Sequence, residues 1–440
     1  MTRRSPAGLT TTVRMYNVGF GDCFLVTVTD GEGSWRMLVD CGVHPHGRAR
    51  PIGEVVEAVI SDLTSAAPQG HPPRLDVVVA THHHADHISG FASPLWEAVE
   101  VGEVWVPFVE DRSDPDAVAL RGGLEAAATG IQRAVQRLSL SADNTTRQAS
   151  ALELAGVLAL NSLTNHDANA RLLGRGASFR NAPPVRFLPE RDPAAAAIPT
   201  GIPGATVHIL GPSRDPAQLK RMNPPAAARW LAPQSAFGDE ETATEPSAPP
   251  PLFDERYIVE ADAAVSVIDA DLRRAWESLK LDENISDADE VLAAASVLER
   301  SVNNTSVFFV LDVAGTRLLF VGDAQQGAWE HVLNAPASRE LITRPAFYKI
   351  GHHGSHNATP REFVEHVIGD GGTLAMLPYG VVSQWKDIPK DTLLAALRSE
   401  KALIVNASAP EEDTRVKVGP GGLWTEIRFE SAQSAQPVST

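Results

Sequence analysis

The stretch Thr81 to Gly90, THHHADHISG, places His82, His84, Asp86 and His87 within six residues. Neutral imidazole and carboxylate are ligand types that suit zinc, and also manganese or iron, so the cluster reads as a metal centre without naming the metal. A loop leaving a strand end can turn His82 and His84 toward one point, a two-nitrogen pincer. Asp86 and His87 lie one step further round, where they can face a second ion. His83 points between the pincer histidines and reads as a filler or outer-shell residue. A solvated histidine-rich loop is the bland alternative. The order His-x-His-x-Asp-His, and further candidate ligands downstream, weigh against it.

Strands must present these groups. The run Asp76-Val77-Val78-Val79-Ala80 is rich in β-branched residues and predicts a buried strand that delivers the histidine loop. A second predicted strand, Thr316 to Val321, ends in Gly322-Asp323-Ala324. Glycine permits a sharp turn there, so Asp323 arrives at the same rim, where its carboxylate could bridge two cations. A third, Phe347 to Ile350, runs into Gly351-His352-His353-Gly354-Ser355-His356, with His353 as the expected ligand. Two cations about 3.5 to 4 Å apart bring a shared water toward ionisation near neutrality, giving a metal-bound hydroxide, and polarise the substrate oxygen. No protein nucleophile is required. Asp86 or Asp323 would orient the hydroxide, and Ser355 or His356 would contact the leaving group or phosphate, His356 as proton donor. The sequence has no G-x-S-x-G elbow, and Gly19-Phe20-Gly21-Asp22 is too short and badly placed for a dinucleotide loop.

Five segments, in order, carry a family likeness: NVGFGDCFLV (Asn17 to Val26), MLVDCG (Met37 to Gly42), THHHADHISG, the pair NNTSVFFVL and LLFVGDA (Asn303 to Ala324), and KIGHHGSHNATP (Lys349 to Pro360). With these the chain resembles the metallo-β-lactamase superfamily, and within it the ComEC-type hydrolase branch; LAMLPYGVVSQWKDIPKDTLLAALRS looks like that branch's closing strand and helix. The resemblance implies an α/β fold, an αββα sandwich with two metals at one edge. It implies that His82 and His84 bind the first ion, that Asp86, His87 and His353 bind the second, and that Asp323 bridges both. Asp40 would accept from a ligand histidine from outside the coordination sphere. Two Zn2+ ions are implied, with Mn2+ as the alternative. Many members place a third histidine for the first ion where this chain has Asn303-Asn304-Thr305-Ser306, as the ComEC branch does. An amide oxygen is a poor zinc ligand, so water, substrate or a harder ion would complete that position. Asn304 and Ser355 are expected just outside the ligand shell. His208, His44 and His46 are open candidates for joining the site.

Composition bounds the rest. The chain has 440 residues, enough for a large core and more than one domain, since domains run ~100 to 200 residues. Nothing approaches ~18 consecutive apolar residues, and the N-terminus has two arginines with no apolar run behind them, so neither a transmembrane helix nor a secretory signal is expected. The expected location is cytoplasmic. Cys23 and Cys41 are the only cysteines, which excludes a disulfide scaffold and leaves a single bridge, or a ligand role for Cys41, open. A net charge of −17 repels nucleic-acid phosphate at long range and weighs against a processive nuclease.

The expected organisation is an N-terminal half-sandwich over 10–109, a mainly helical insertion over 110–300, a C-terminal half over 301–432, and a flexible tail, 433–440. Leu124, Ala128, Ile131, Val135 and Leu138 recur at helical spacing, Ala151 to Leu160 predicts a second helix, Val265 to Leu279 a third and Asp287 to Glu299 a fourth. Ala194 to Leu252 is rich in Pro and Ala and reads as a long loop or flap around a core strand near 206–210. The insertion would cover the pocket, build a homodimer surface or dock a protein partner. Three functions fit: a phosphodiesterase or nuclease acting on an anionic small molecule or nucleic acid; an ester, thioester or lactone hydrolase; and a metal-binding regulatory or effector subunit.

Overall fold

Alternating and continuous apolar runs build two stacked sheets in the computed structural model, which describes residues 8–45, 47–140, 145–163, 165–219, 221, 288–382, 388–410 and 413–431. Numbered in chain order, the first sheet holds β1 (Leu9–Tyr16), β2 (Cys23–Thr29), β3 (Ser34–Cys41), β4 (Arg74–Val79), β5 (Glu100–Pro107), β6 (Val185–Leu188), β14 (Val416–Val418) and β15 (Trp424–Ser431). Its order is β14-β15-β1-β2-β3-β4-β5-β6. The second holds β7 (Ala197–Pro199), β8 (Ala205–Gly211), β9 (Phe308–Val313), β10 (Thr316–Phe320), β11 (Phe347–Lys349), β12 (Leu374–Leu377) and β13 (Leu403–Asn406), in the order β13-β12-β11-β10-β9-β8-β7. Each sheet is antiparallel on one side and parallel on the other: β3 to β6 run parallel, as do β10 to β13.

Side chains alternating to the inner faces make the central core. Val13, Phe24, Val26, Val39 and Val79 of the first sheet meet Val207, Phe309, Leu311, Phe320 and Met376 of the second. Each fully buried side chain of this kind stabilises the fold by about 1.5–3 kcal/mol. Helices cover the outer faces. Val55, Val56, Val59 and Leu63 of the Ile52–Ala66 helix pack with Leu38, Val78 and Val104. On the other side, Trp329 and Val332 of the Gln326–Asn334 helix and Leu393 and Leu397 of the Asp391–Ser399 helix pack with Val310, Leu319 and Tyr348. The layers are therefore helix, sheet, sheet, helix.

The region expected to be one insertion divides. The Pro115–Ser139, Thr146–Leu163 and Ala288–Asn303 helices share an alanine-rich core that includes Ala128, Ile131, Ala155, Leu158, Val291 and Leu298. Between them in sequence, β6, β7 and β8 belong to the sandwich. The strand expected near 206–210 is β8, paired with β9, and the expected loop over 194–252 is corrected only at β7, which pairs with β8. Short strands of three or four residues carry too few alternations to be read from sequence. The remainder of that stretch, the helix expected at Val265 to Leu279, and the tail 433–440 lie outside the described residues. Among the described residues no helix is long and apolar enough to cross a membrane.

Candidate metal centre

The carboxyl ends of β3, β4, β10 and β11 gather at one rim, and each delivers part of the site. After β4, the amide of Ala80 donates to Trp105 O at 2.9 Å, keeping the exit extended, while Val307 N donates to Thr81 O at 2.9 Å and ties the loop to the second sheet. His82 Nε2 and His84 Nδ1 then lie 3.1 Å apart, so both address one point. Burial is the main force holding both imidazoles below their ordinary range, His84 at about 4, so both are neutral at pH 7 with lone pairs available.

Beside this pair, one ligand atom each from Asp86, His87, Asp323 and His353 falls within 4.8 Å of the others, all four residues buried. His87 Nε2 is 3.2 Å from Asp323 Oδ2, and His353 Nε2 is 3.3 Å from Asp86 Oδ2. The outward atoms are braced. Asp40, at the end of β3 with φ 56°, accepts from Thr81 N and Oγ1 at 2.7 Å each and contacts His87 Nδ1 at 2.8 Å, which turns His87 Nε2 inward. His353 Nδ1 donates to Pro378 O at 2.7 Å. Asp323 Oδ1 accepts from His352 N at 3.0 Å and Lys349 Nζ at 3.2 Å, leaving Oδ2 toward the cluster. Lys349, itself buried, also reaches Asp22 Oδ2 at 2.5 Å and Gly322 O at 2.8 Å.

The electrostatics follow from that packing. Burial pushes Asp86 and Asp323 upward, but His87 and further cationic neighbours outweigh it and hold both well below the carboxylate range. Burial lowers His87, and Asp323, Asp22, Asp40 and Asp86 more than reverse it. His87 Nε2 and the Oδ1 atoms of Asp86 and Asp22 are buried with no hydrogen-bond partner. Leaving such an atom unsatisfied costs about 1–3 kcal/mol, more where it is charged, and a divalent cation satisfies carboxylate and imidazole together. The residues fit a metal ion. A second grouping, Asp22, Asp40 and His87, shares His87 through Nδ1. Because Thr81 and His87 already engage both Asp40 oxygens, this grouping works as a bracing network.

Two glycines make the approach feasible. A Cβ on Gly42 would lie 2.5 Å from Ala85 O and from His87 N, so only glycine lets the strand end pass beneath the histidine loop. Gly322 sits at φ 52° with Ser306 and Thr81 against it.

Several expected residues stand elsewhere. Asn304 turns away from the ligands: its amide donates to Leu219 O and Arg221 O, and its Oδ1 accepts from Gln325 N, so it fastens a loop. Ser306 takes the nearer place, its Oγ 3.3 Å from His82 Nδ1 and accepting from Asp323 N. Ser355 Oγ contacts His352 Nδ1 at 2.8 Å and donates to Asn357 Oδ1. His356 is half-buried on the same loop. His44 is buried beside Phe20, with ring centroids 6.0 Å apart. His208 lies within β8, paired with Ala197 and Val310, away from the rim. His46 lies outside the described residues. Cys23 and Cys41 face each other across β2 and β3 as buried free thiols.

Sequence reasoning did not single out Asp22, Lys349, His352, Glu299 or Glu110. Glu299 and His352 approach to 3.3 Å, bringing the Ala288–Asn303 helix to the ligand loop. His83 is not directed at the ligands; its Nδ1 is 2.9 Å from Glu110, which Arg121 also grips at 2.9 Å. Asp22 and Lys349 do lie inside conspicuous segments, NVGFGDCFLV and KIGHHGSHNATP, and that placement was the one signal available; their burial is seen only in the structure.

The family model of the metallo-beta-lactamase superfamily matches residues 16–107, from the end of β1 through β5 and including the histidine loop. The match is to the superfamily as a whole and does not distinguish the ComEC-type branch. No curated protein matches the sequence.

Proposed function

We propose that this chain, which carries a metallo-beta-lactamase superfamily domain, is a metal-dependent hydrolase of phosphodiester bonds. The observation that carries the hydrolase reading is the convergence of Asp86, His87, Asp323 and His353 beside the His82 and His84 pair. Divalent cations held there supply Lewis-acid polarisation and activation of water.

The chain's own residues set the stage. Asp40 holds the Nδ1 side of His87, and Lys349 with the His352 amide holds Oδ1 of Asp323, so each presents one atom inward. Phe20 lies 3.8 Å from the His353 ring, centroid to centroid, and shields that face from bulk water. Asp86 and Asp323 orient the attacking water, and His356 delivers the proton to the leaving group. The phosphodiester preference is supported by the five ComEC-like segments and by the Asn303 to Ser306 stretch where other members carry histidine.

The test is turnover of the purified, metal-loaded protein on bis-p-nitrophenyl phosphate, single-stranded DNA and a thioester panel. Phosphodiester turnover that vanishes in Asp323→Ala is expected. Turnover confined to carbon esters or thioesters would replace the phosphodiester reading, and activity on none, with a stably co-purifying protein, would favour the regulatory or effector role.

A further inference from the structure

A cavity of about 310 Å3 lies between the histidine loop and the helical insertion, lined by His83, Arg112, Arg121, Asn165, His166 and Asn169 among others. Its size falls in the ~300–1,000 Å3 range of small-molecule sites. His83, between His82 and His84 in the chain, forms its wall on the side of the metal centre.

The charge on this wall is unusual for the chain. The protein carries −17 overall, yet Arg112 and Arg121 line the cavity together with one carboxylate, Glu110, and Arg175 is close enough to feel both guanidinium groups as well as the opposing charges of Glu110 and Asp111. Arg121 is matched by buried Glu110. Among the described residues, neither Arg112 nor Arg175 makes an ion pair within 4.0 Å or a side-chain hydrogen bond, although Glu110 and Asp111 act on Arg175 from further off. A larger cavity of about 550 Å3 gives the contrast. There Arg186 meets Glu103 at 3.3 Å, Arg191 meets Asp114 at 2.8 Å and Arg214 meets Asp114 at 2.7 Å. Its cations are already neutralised. Clustered guanidinium groups repel one another, and an anion with several acceptor oxygens relieves that repulsion while satisfying their forked donors.

We propose that the cavity lined by Arg112 and Arg121, with Arg175 nearby, is a phosphate-binding subsite that holds a non-reacting phosphate of the substrate beside the metal centre. The assignment rests on the phosphodiesterase reading for the source of the phosphate; the anion site itself rests on the arginines. The insertion then selects substrates: a chain with a second phosphate bridges the metal centre and the subsite, and a minimal diester fills the metal centre alone.

The experiment uses the full-length, metal-loaded protein and an Arg112→Gln/Arg175→Gln double variant. Both arginines are exposed, so an unchanged melting temperature is expected, while Arg121 is left in place because it holds Glu110. Calorimetric titration with inorganic phosphate should resolve binding at the metal centre and at the subsite. The double variant should lose the second class, or weaken it about tenfold or more. The ratio of kcat/KM for a short oligodeoxynucleotide to that for bis-p-nitrophenyl phosphate should fall by a similar factor, through KM. Phosphate binding of unaltered affinity and stoichiometry in the double variant overturns the subsite. If neither diester is hydrolysed but the variant still loses phosphate, the anion site stands and the phosphodiesterase reading fails.

Discussion

The two ligand groupings at the rim are built differently. His82 and His84 come from one loop and offer two neutral imidazoles, with the hydroxyls of Thr81 and Ser306 3.2 and 3.3 Å from His82 Nδ1. Asp86, His87, Asp323 and His353 come from both halves of the chain and include two carboxylates. Their outer atoms are held by Asp40, Pro378 O, Lys349 and the His352 amide. Backbone strain is placed here too: His352 and His353 both have positive φ, 42° and 52°. Non-glycine residues keep such conformations, at about 1–3 kcal/mol each, only where surrounding contacts enforce them. The four-residue group is thus pre-formed by the fold, whereas the pair depends on one loop. Ligand charge and bracing would make the four-residue group the tighter holder of a cation.

The largest effect expected is loss of metal from Asp323→Ala and His87→Ala, read as metal per chain by elemental analysis, with His82→Ala retaining more than either. Equal loss in all three would erase the contrast between the groups. Asp40→Asn should follow, weakening metal binding about 10–100-fold, because the amide presents a donor where His87 Nδ1 needs an acceptor; a chelator competition titration measures it. Gly42→Ala should lower stability by about 1–3 kcal/mol and displace His87, since the new methyl meets backbone at 2.5 Å that cannot swing aside. Thermal unfolding together with metal content reads both effects, and an unchanged melting temperature would show that the loop yields freely.

The smallest effect concerns the brace behind the pair. Burial raises Glu110, but bonds from His83, Arg121 and Asn169 outweigh it and hold the carboxyl at about 2, below its ordinary 4.5. A depressed carboxylate stabilises the fold above the unfolded pKa and loses that contribution as pH falls through the folded one. Stability of the natural chain should therefore decline between pH 4.5 and 2 by an amount on the order of 1–2 kcal/mol beyond that of Glu110→Gln. Parallel denaturation curves for the two proteins across this window would remove Glu110 as a brace.

How much could be read in advance differs from residue to residue. His82, His84, Asp86 and His87 were legible because they share one short loop at a strand exit, and Asp323 and His353 because each follows an apolar run ending in glycine or leading into it. The insertion helices Pro115–Ser139, Thr146–Leu163 and Ala288–Asn303 announced themselves by their apolar spacing. Glu299 was silent, an ordinary acid until His352 arrives from elsewhere, and Asp22 was marked only by its place in NVGFGDCFLV until Lys349 reaches it. Asn304 was misplaced for the same reason, its amide drawn to the carbonyls of Leu219 and Arg221, more than eighty residues earlier.

The amino-acid sequence by itself determined the ligand types, the loops that carry them, and the alternation that makes two sheets, because these depend on neighbours a few residues away. Only the tertiary structure decided which carboxylate braces which imidazole, which asparagine turns from the site, and which arginines make no close ion pair. Those outcomes depend on strand order and register, which bring His353 to within 3.3 Å of Asp86 across 267 positions of chain.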